Sequence, residues 1–379
     1  MAKLSRELRS KGYDIIDLSL GEPDFPTPLH IREAAKKAID DGFTKYPPVA
    51  GYLDLRQAIS EKFKRDNNLN FSPEQIIVST GAKQSIANTM MVLVNPGDEV
   101  ILPSPYWVSY REIIKLAEGT MVMIPSTVEN NFKITAQDLE DAISPRTKVF
   151  CFSSPCNPTG SVYTREELKS FAEVFAKHPG IFIISDEIYE FINFLGHHES
   201  IAQFGSLKDR VIVVNGVSKA YSMTGWRLGY IGAPLWIAKA CDKMQGQITS
   251  GASSISQRAA LAAIISDQTE TTKMREAFQH RRELVMKLLC DIPGMKANHP
   301  DGAFYFFPDV SSYFGKSDGK EIILSADDLC MYLMYNASVT VVTGKAFGDE
   351  NCIRISYATS EEKLTEGLRR MKEALEKLK

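Results

Sequence analysis

Cysteine is scarce in this chain of 379 residues: six are present, at positions 151, 156, 241, 290, 330 and 352. No Cys-x-x-Cys pair occurs, which removes the usual frame of a structural zinc site. The scatter of the thiols suits a reducing compartment, so a cytoplasmic protein is expected. An excess of charge of one sign is missing too. Forty-four Lys and Arg stand against 47 Asp and Glu, for a formal net charge of −3. That balance leaves no electrostatic footprint for nucleic acid or for an anionic membrane surface. No apolar run approaches the roughly 18 residues that a membrane-spanning helix needs. The opening MAKLSRELRS is charged and lacks the apolar stretch of a signal peptide. Neither Gly-x-Gly-x-x-Gly nor a Gly-x4-Gly-Lys-Ser/Thr loop is present, so the dinucleotide and P-loop readings have no support.

The composition is that of an ordinary globular protein, with 44% hydrophobic and 24% charged residues. Disordered, collagenous and coiled-coil chains are excluded on that ground. At roughly 100–200 residues per domain, two or three domains are expected. Ala2 to Lys11 reads as the end of an amphipathic helix stopped by Gly12, and IIDLSL as a short strand running into a Pro-rich loop. Leu29 to Asp41 and Tyr52 to Asn67 read as helices, separated by the rigid loop TKYPPVAG. Short apolar strands then alternate with helices. The strands are IIVST, EVILPSP, MVMIP, TKVFCFSSP, IFIISDE and RVIVVNGVSK. The helices between them run from about Ala82 to Val94, Tyr106 to Leu116, Ala136 to Ile143 and Thr164 to His178. Strands without strict polar alternation, spaced by helices, predict a mostly parallel sheet covered on both faces, hence an α/β fold. Near residue 270 the pattern changes to a long charged helix, then GAFYFFPDV, a helix, VTVV, CIRISYA and a terminal helix. This predicts a smaller α+β domain over 271–379, a large domain over 42–270, and an N-terminal segment, 1–41, packing with the small domain.

Ligands of open α/β sheets bind outside the carboxyl ends of the strands. The polar residues there are few. Lys219 follows an apolar strand, and a poorly solvated amine has a lowered pKa and can act as a nucleophile or form a Schiff base. The competing reading is a lysine that reaches solvent from a strand end. Arg227, eight residues on, suits an anionic ligand or a surface ion pair. Asp186 ends a strongly apolar strand and needs a cationic partner, either a protonated ring nitrogen or an arginine of the chain. Asn157 opens an Asn-Pro-Thr-Gly turn and either donates to a ligand or only shapes the turn. Gly81-Ala82-Lys83 opens a helix directly after a strand, and the free N–H groups of such a helix start bind anions. Trp107 either stacks on a planar ligand or fills core. Arg354, inside an apolar strand, requires a carboxylate from protein or substrate. His197-His198 reads as part of a solvated loop. Taken together, a buried lysine, a strand-end aspartate, an asparagine, a helix-end anion cradle and two arginines match a pyridoxal phosphate site.

The motifs SPCNPTG, SDEIYE, SKAYSMTGWRLGY and RISYA, in this order and spacing, resemble the class I aminotransferases of pyridoxal-phosphate fold type I over essentially the whole chain. GEPDFPTP, TKYPPVAG and SPYWVSY are similar to the bacterial aspartate aminotransferase subgroup, some members of which also use prephenate. The resemblance implies a cofactor, pyridoxal 5'-phosphate, carried by Lys219, which also shuttles the substrate proton. It implies that Asp186 pairs with the pyridinium nitrogen and that Asn157 and Tyr189 serve the phenolic oxygen. Trp107 would stack on the ring. The backbone of Ala82 and Lys83, with Ser218 and Arg227, would hold the phosphate. Tyr46 would reach the phosphate of a neighbouring subunit, which implies a homodimer. Arg354 would clamp the substrate α-carboxylate with help from the backbone at Gly21, while Trp107 and Asn157 also touch substrate.

The resemblance further implies cis peptide bonds at Ser104-Pro105 and Asn157-Pro158. Many family members bind a distal carboxylate through an arginine of the partner subunit. This chain has no arginine between Arg227 and Arg258, and in the bacterial subgroup a lysine placed as Lys83 takes that part. The leading expectation is therefore an L-aspartate:2-oxoglutarate aminotransferase acting on small amino and 2-oxo acids. An aromatic, prephenate or broad-specificity aminotransferase, or a C–S lyase, would share Lys219, Asp186 and Arg354. A non-catalytic effector domain would need a DNA-binding module, for which no spare segment exists.

Overall fold

The computed structural model describes residues 2–379, with side chains from residue 5 onward. In the first third of the chain, helix α1 (Ala2–Ser10) and strand β1 (Ile16–Asp17) precede helices α2 (Leu29–Asp40) and α3 (Leu53–Asn67). An alternating stretch follows: β2 (Ile76–Ser79), α4 (Ala82–Leu93), β3 (Glu99–Ser104), α5 (Ser109–Leu116), β4 (Thr120–Pro125), α6 (Ala136–Ala142), β5 (Thr147–Ser153), α7 (Arg165–Lys177), β6 (Phe182–Asp186) and β7 (Val211–Gly216). Next come β8 (Gly229–Gly232), α8 (Leu235–Ile248), α9 (Ser254–Ile265) and the long α10 (Thr269–Cys290). The chain ends with β9 (Tyr305–Phe306), α11 (Ala326–Asn336), β10 (Val339–Thr340), β11 (Val342–Thr343), β12 (Ile353–Ser356) and α12 (Glu361–Leu375).

Seven strands form one sheet in the order β2-β8-β7-β6-β5-β3-β4. All neighbours are parallel except β8, which runs antiparallel to both β2 and β7. The continuous apolar runs of the sequence follow from burial on both faces. Ile76, Ile101, Phe150, Phe152, Ile183, Val211 and Val213 enter one core. Their neighbours Ile77, Val100, Leu102, Val149, Cys151, Ile184, Ile212 and Val214 enter the core on the opposite face. Helix α7 shows how the covering layer forms. Its buried Leu168, Phe171, Ala172 and Phe175 recur at helical spacing. Its first turn is closed by a capping box between Thr164 and Glu167.

A third core belongs to the last hundred residues and to the start of the chain. Ile16 and Leu18 pack there with Phe278, Tyr305, Leu333, Ile353 and Leu368, and β1 pairs in parallel with β10. The N-terminal segment divides, however: Ile31 and Ala35 of α2 lie in the core of the large sheet, against α9. VTVV also divides, because Val339–Thr340 bonds to β1 while Val342–Thr343 bonds to β12. The helix expected from Tyr106 begins only at Ser109; the Tyr106 N–H donates instead to the carbonyl of Phe347.

Strand β8 is too short and glycine-rich to announce itself in the sequence, yet it reverses direction between β7 and β2 and so lets β2 point the same way as the parallel strands. A Cβ on Gly229 would lie 2.2 Å from the backbone nitrogen of Ala82. Gly229→Ala is expected to displace the first turn of α4 and to cost about 1–3 kcal/mol, as overpacking does. Equilibrium unfolding in urea measures it, and an unchanged midpoint would contradict the close approach.

Candidate active site

The carboxyl ends of β2, β3, β5, β6 and β7 meet the small unit around a cavity of about 450 Å³. Eleven of the twelve expected site residues line it: Gly21, Ala82, Lys83, Trp107, Asn157, Asp186, Tyr189, Ser218, Lys219, Arg227 and Arg354. Tyr46 does not. It stands on the loop before Pro47-Pro48, 95% exposed.

The convergence is a consequence of strand order. Asp186 is the last residue of β6; Asn157 follows β5 on one side, and Ser218-Lys219 follow β7 on the other. Asp186 is buried, and both of its hydrogen-bond donors are neutral. The Tyr110 hydroxyl donates to Oδ2 at 2.6 Å and the Ile188 amide to Oδ1 at 3.2 Å. Burial pushes its pKa up to about 6, against the pull of the Tyr110 hydroxyl. Lys219 donates from Nζ to the Gly21 carbonyl at 2.5 Å. Burial, and then the positive charge of Arg354, push its pKa down to about 8. An amine that titrates this close to neutrality can serve as a nucleophile or a base.

Arg354 comes from β12, across the cavity. Its Nη1 donates to Asn157 Oδ1 at 2.9 Å and its Nη2 to the Ser19 carbonyl at 2.8 Å, while Nε is buried without a partner. The guanidinium lies 4.5 Å from the ring centroid of Tyr305 and 4.9 Å from that of Phe347. At the opposite end, Gly81 caps α4 with φ +85°, and a Cβ there would lie 2.4 Å from Arg227 Nη2. The guanidinium of Arg227 thus sits against the first turn of α4, whose N–H groups have no intrahelical partner. Lys83 is exposed, with Nζ 5.0 Å from the ring centroid of Trp107.

Two expectations need correction. The cis bonds are Ser104-Pro105 and Ser154-Pro155, not Asn157-Pro158. Asn157-Pro158 lies within a turn closed by Gly160 N–H to Cys156 O and Cys156 N–H to Ser161 O. His198 is not solvated: its buried ring bonds Glu187 at 2.9 Å, and Glu187 also accepts from Ser185 and Ser200. His197 is exposed and pairs with Glu199. Glu187, Glu190 and His198 come close enough together to suggest a cation site, but the buried Lys62 ammonium already pairs with Glu190.

Two phenols at or behind the cavity, Tyr110 and Tyr305, lie outside the expected set. Tyr110 is one helical turn beyond Trp107, and that spacing placed it on the same face. Tyr305 stands opposite Ser356 in the β9–β12 pairing, so it shares a face with Arg354 two residues away. Only the pairing register reveals that neighbour.

Residues 13–371 match the family model described as aminotransferase class I and II. A Petunia hybrida protein, named bifunctional aspartate aminotransferase and glutamate/aspartate-prephenate aminotransferase, is 46% identical over 97% of this chain and 78% of its own length. The aspartate/prephenate aminotransferase of Cereibacter sphaeroides is 47% identical over 97% of this chain and 92% of its own. Among solved structures, the aspartate aminotransferase of Rhizobium meliloti superposes with a TM-score of 0.96 at 42% identity, covering 100% of this chain and 95% of that one. The Thermus thermophilus aspartate aminotransferase with maleate gives 0.91 at 39%, covering 98% and 95%.

The raised pKa of Asp186 has a consequence for stability. With no cofactor added, the folded state holds a proton between about pH 4 and 6 that the unfolded chain has released. Ionised Asp186 therefore costs stability, in full above about pH 6 and not at all below about pH 4. Asp186→Asn should melt higher than the parent at about pH 8, with the gap closing as pH falls through 6. Thermal unfolding across that range checks it; a gap independent of pH would reject the assignment.

Proposed function

Since this chain belongs to the class I and II aminotransferases, we propose that it transfers an amino group between L-aspartate and 2-oxoglutarate, with pyridoxal phosphate bound at Lys219. The observation that carries the reading is the convergence of Lys219, Asp186 and Arg354 on one cavity. The residues fit the cofactor. A buried carboxylate with only neutral donors matches a protonated ring nitrogen. The start of α4 against Arg227, with Ser218 beside it, matches a phosphate. When bound, the cofactor supplies an electron sink and a carrier for the amino group.

The chain's own residues do the rest. Asp186 keeps the ring nitrogen protonated. Asn157 and Tyr189 serve the phenolic oxygen, and Trp107 covers the ring. Lys219 Nζ takes the proton from the substrate Cα, which its lowered pKa permits near neutral pH. Arg354, already aimed by Asn157 and Ser19 and backed by two aromatic rings, binds the α-carboxylate through its planar fork, with the Gly21 backbone adjoining. Lys83, beside Trp107, takes the distal carboxylate. The maleate of the Thermus structure is a dicarboxylate of that kind, and prephenate, named for several relatives, is another.

The assembly proposed is a homodimer in which Tyr46, exposed on each protomer, completes the partner's phosphate site. The working division is a large cofactor-binding domain over 42–270, to which Ile31 and Ala35 of the N-terminal segment also pack, and a small one over 271–379 joined by Ile16 and Leu18 of that segment. The compartment proposed is the cytoplasm, in keeping with six unpaired thiols. Among the described residues, no helix is long and apolar enough to cross a membrane.

Two experiments test the reading. Lys219→Ala should lose the absorbance of lysine-bound cofactor and nearly all turnover; a variant that keeps the pH-dependent bands would place the cofactor elsewhere. Substrate choice is tested by comparing Lys83→Ala with Arg354→Ala over a panel of amino donors. Lys83→Ala should lower the aspartate-to-phenylalanine ratio of kcat/KM by about tenfold or more. Arg354→Ala should lower kcat/KM for every donor, by about 2–5 kcal/mol of lost binding. An unchanged ratio in Lys83→Ala would point instead to a broad-specificity or aromatic aminotransferase.

A further inference from the structure

Tyr305 does not line the cavity, yet three parts of the site converge on it. Its hydroxyl is 2.8 Å from that of Tyr189, and both side chains are buried. Its ring carries the Arg354 guanidinium. A Cβ on Gly21 would come within 2.9 Å of its hydroxyl, so the loop whose carbonyl accepts from Lys219 packs directly against it.

Each phenol has one proton to donate and lone pairs to accept. In a pair of hydroxyls one donates and the other accepts. If Tyr189 donates to Tyr305, its only proton is lost to the cavity. If Tyr305 donates, the Tyr189 proton is free to face the cavity, and an oxygen that already accepts a hydrogen bond makes a stronger donor of its own O–H. The placement of the two phenols favours the second arrangement: Tyr189 lines the cavity and Tyr305 lies behind it, so only the Tyr189 proton can reach a ligand there, and Tyr305 has its own proton to give to Tyr189.

We propose that Tyr305 is a positioning residue that donates its hydroxyl hydrogen to Tyr189, thereby aiming the Tyr189 O–H at the phenolic oxygen of the bound cofactor. The inference rests on the reading above that Tyr189 serves that oxygen. It adds a second phenol behind the first and ties the cofactor's electronic state to the side chain that carries Arg354.

A donor to the phenolic oxygen favours its anionic form, so weakening the donor raises the pH at which the lysine-bound cofactor changes its absorbance. The test is an absorbance titration of the cofactor-loaded protein for the parent, Tyr189→Phe, Tyr305→Phe and the double variant. Phenylalanine keeps the ring under Arg354 and removes only the hydroxyl. Tyr189→Phe should raise the midpoint, and Tyr305→Phe should raise it by a smaller amount, about 0.2–0.6 unit. In the Tyr189→Phe background, Tyr305→Phe should add nothing, because its effect passes through Tyr189. Equal shifts in both backgrounds would show that Tyr305 acts only through packing, and would overturn the relay. A midpoint moved by Tyr189→Phe but not by Tyr305→Phe would reject the relay alone. A midpoint that Tyr189→Phe leaves in place would overturn the reading of Tyr189 and the relay together.

Discussion

Asp186 ends β6 in the middle of the large sheet, where burial raises its carboxyl pKa to about 6 and its hydrogen-bond donors are uncharged. A buried carboxylate in that state is costly until a cation joins it. The other groups are arranged around that need. Asn157 and Lys219 come from the strands on either side, and the start of α4, with Arg227, stands ready for an anion at the far end. The site thus offers one negative group to a cation and several positive groups to anions. A zwitterionic ring bearing a phosphate satisfies both in one molecule.

Burial by itself does not make a reactive lysine. Lys62 is more deeply buried than Lys219, but Glu190 pairs with it and Asn67 accepts its hydrogen bond. Lys219 is given a backbone carbonyl and two nearby guanidinium groups instead, and its pKa falls to about 8. The difference lies in the partner each amine was given. The same holds for the arginines. Arg281 is paired with Asp24 and is therefore spent on structure, whereas Arg354 bonds only neutral oxygens, so no carboxylate of the described residues pairs with its charge.

Most of the architecture was legible because the large sheet is buried on both faces. That burial writes each strand as an apolar run, and the covering helices carry their own 3.6-residue spacing. The elements that escaped share a cause. Strand β8, Gly-Tyr-Ile-Gly, is glycine-rich because Ala82 presses on Gly229 and the Phe71 ring on Gly232, so it lacks the usual signature. His198 reads as solvated because Glu187, the partner that buries its ring, is eleven positions away. Tyr305 was hidden for the same reason: its partner Tyr189 is 116 residues distant.

Local sequence identifies the residues at the carboxyl ends of the parallel strands, and Ala82, Lys83, Trp107, Asn157, Asp186, Tyr189, Ser218 and Lys219 all line the cavity. It can do so because strand ends are marked locally, by the point where an apolar run stops at a polar residue. How those side chains are charged and aimed follows from tertiary contacts: the Tyr110 hydroxyl on Asp186, the aromatic bed under Arg354, and the second phenol behind Tyr189. Each depends on contacts between residues far apart in the chain, set by strand order and pairing register, and nothing in a local stretch of sequence encodes them.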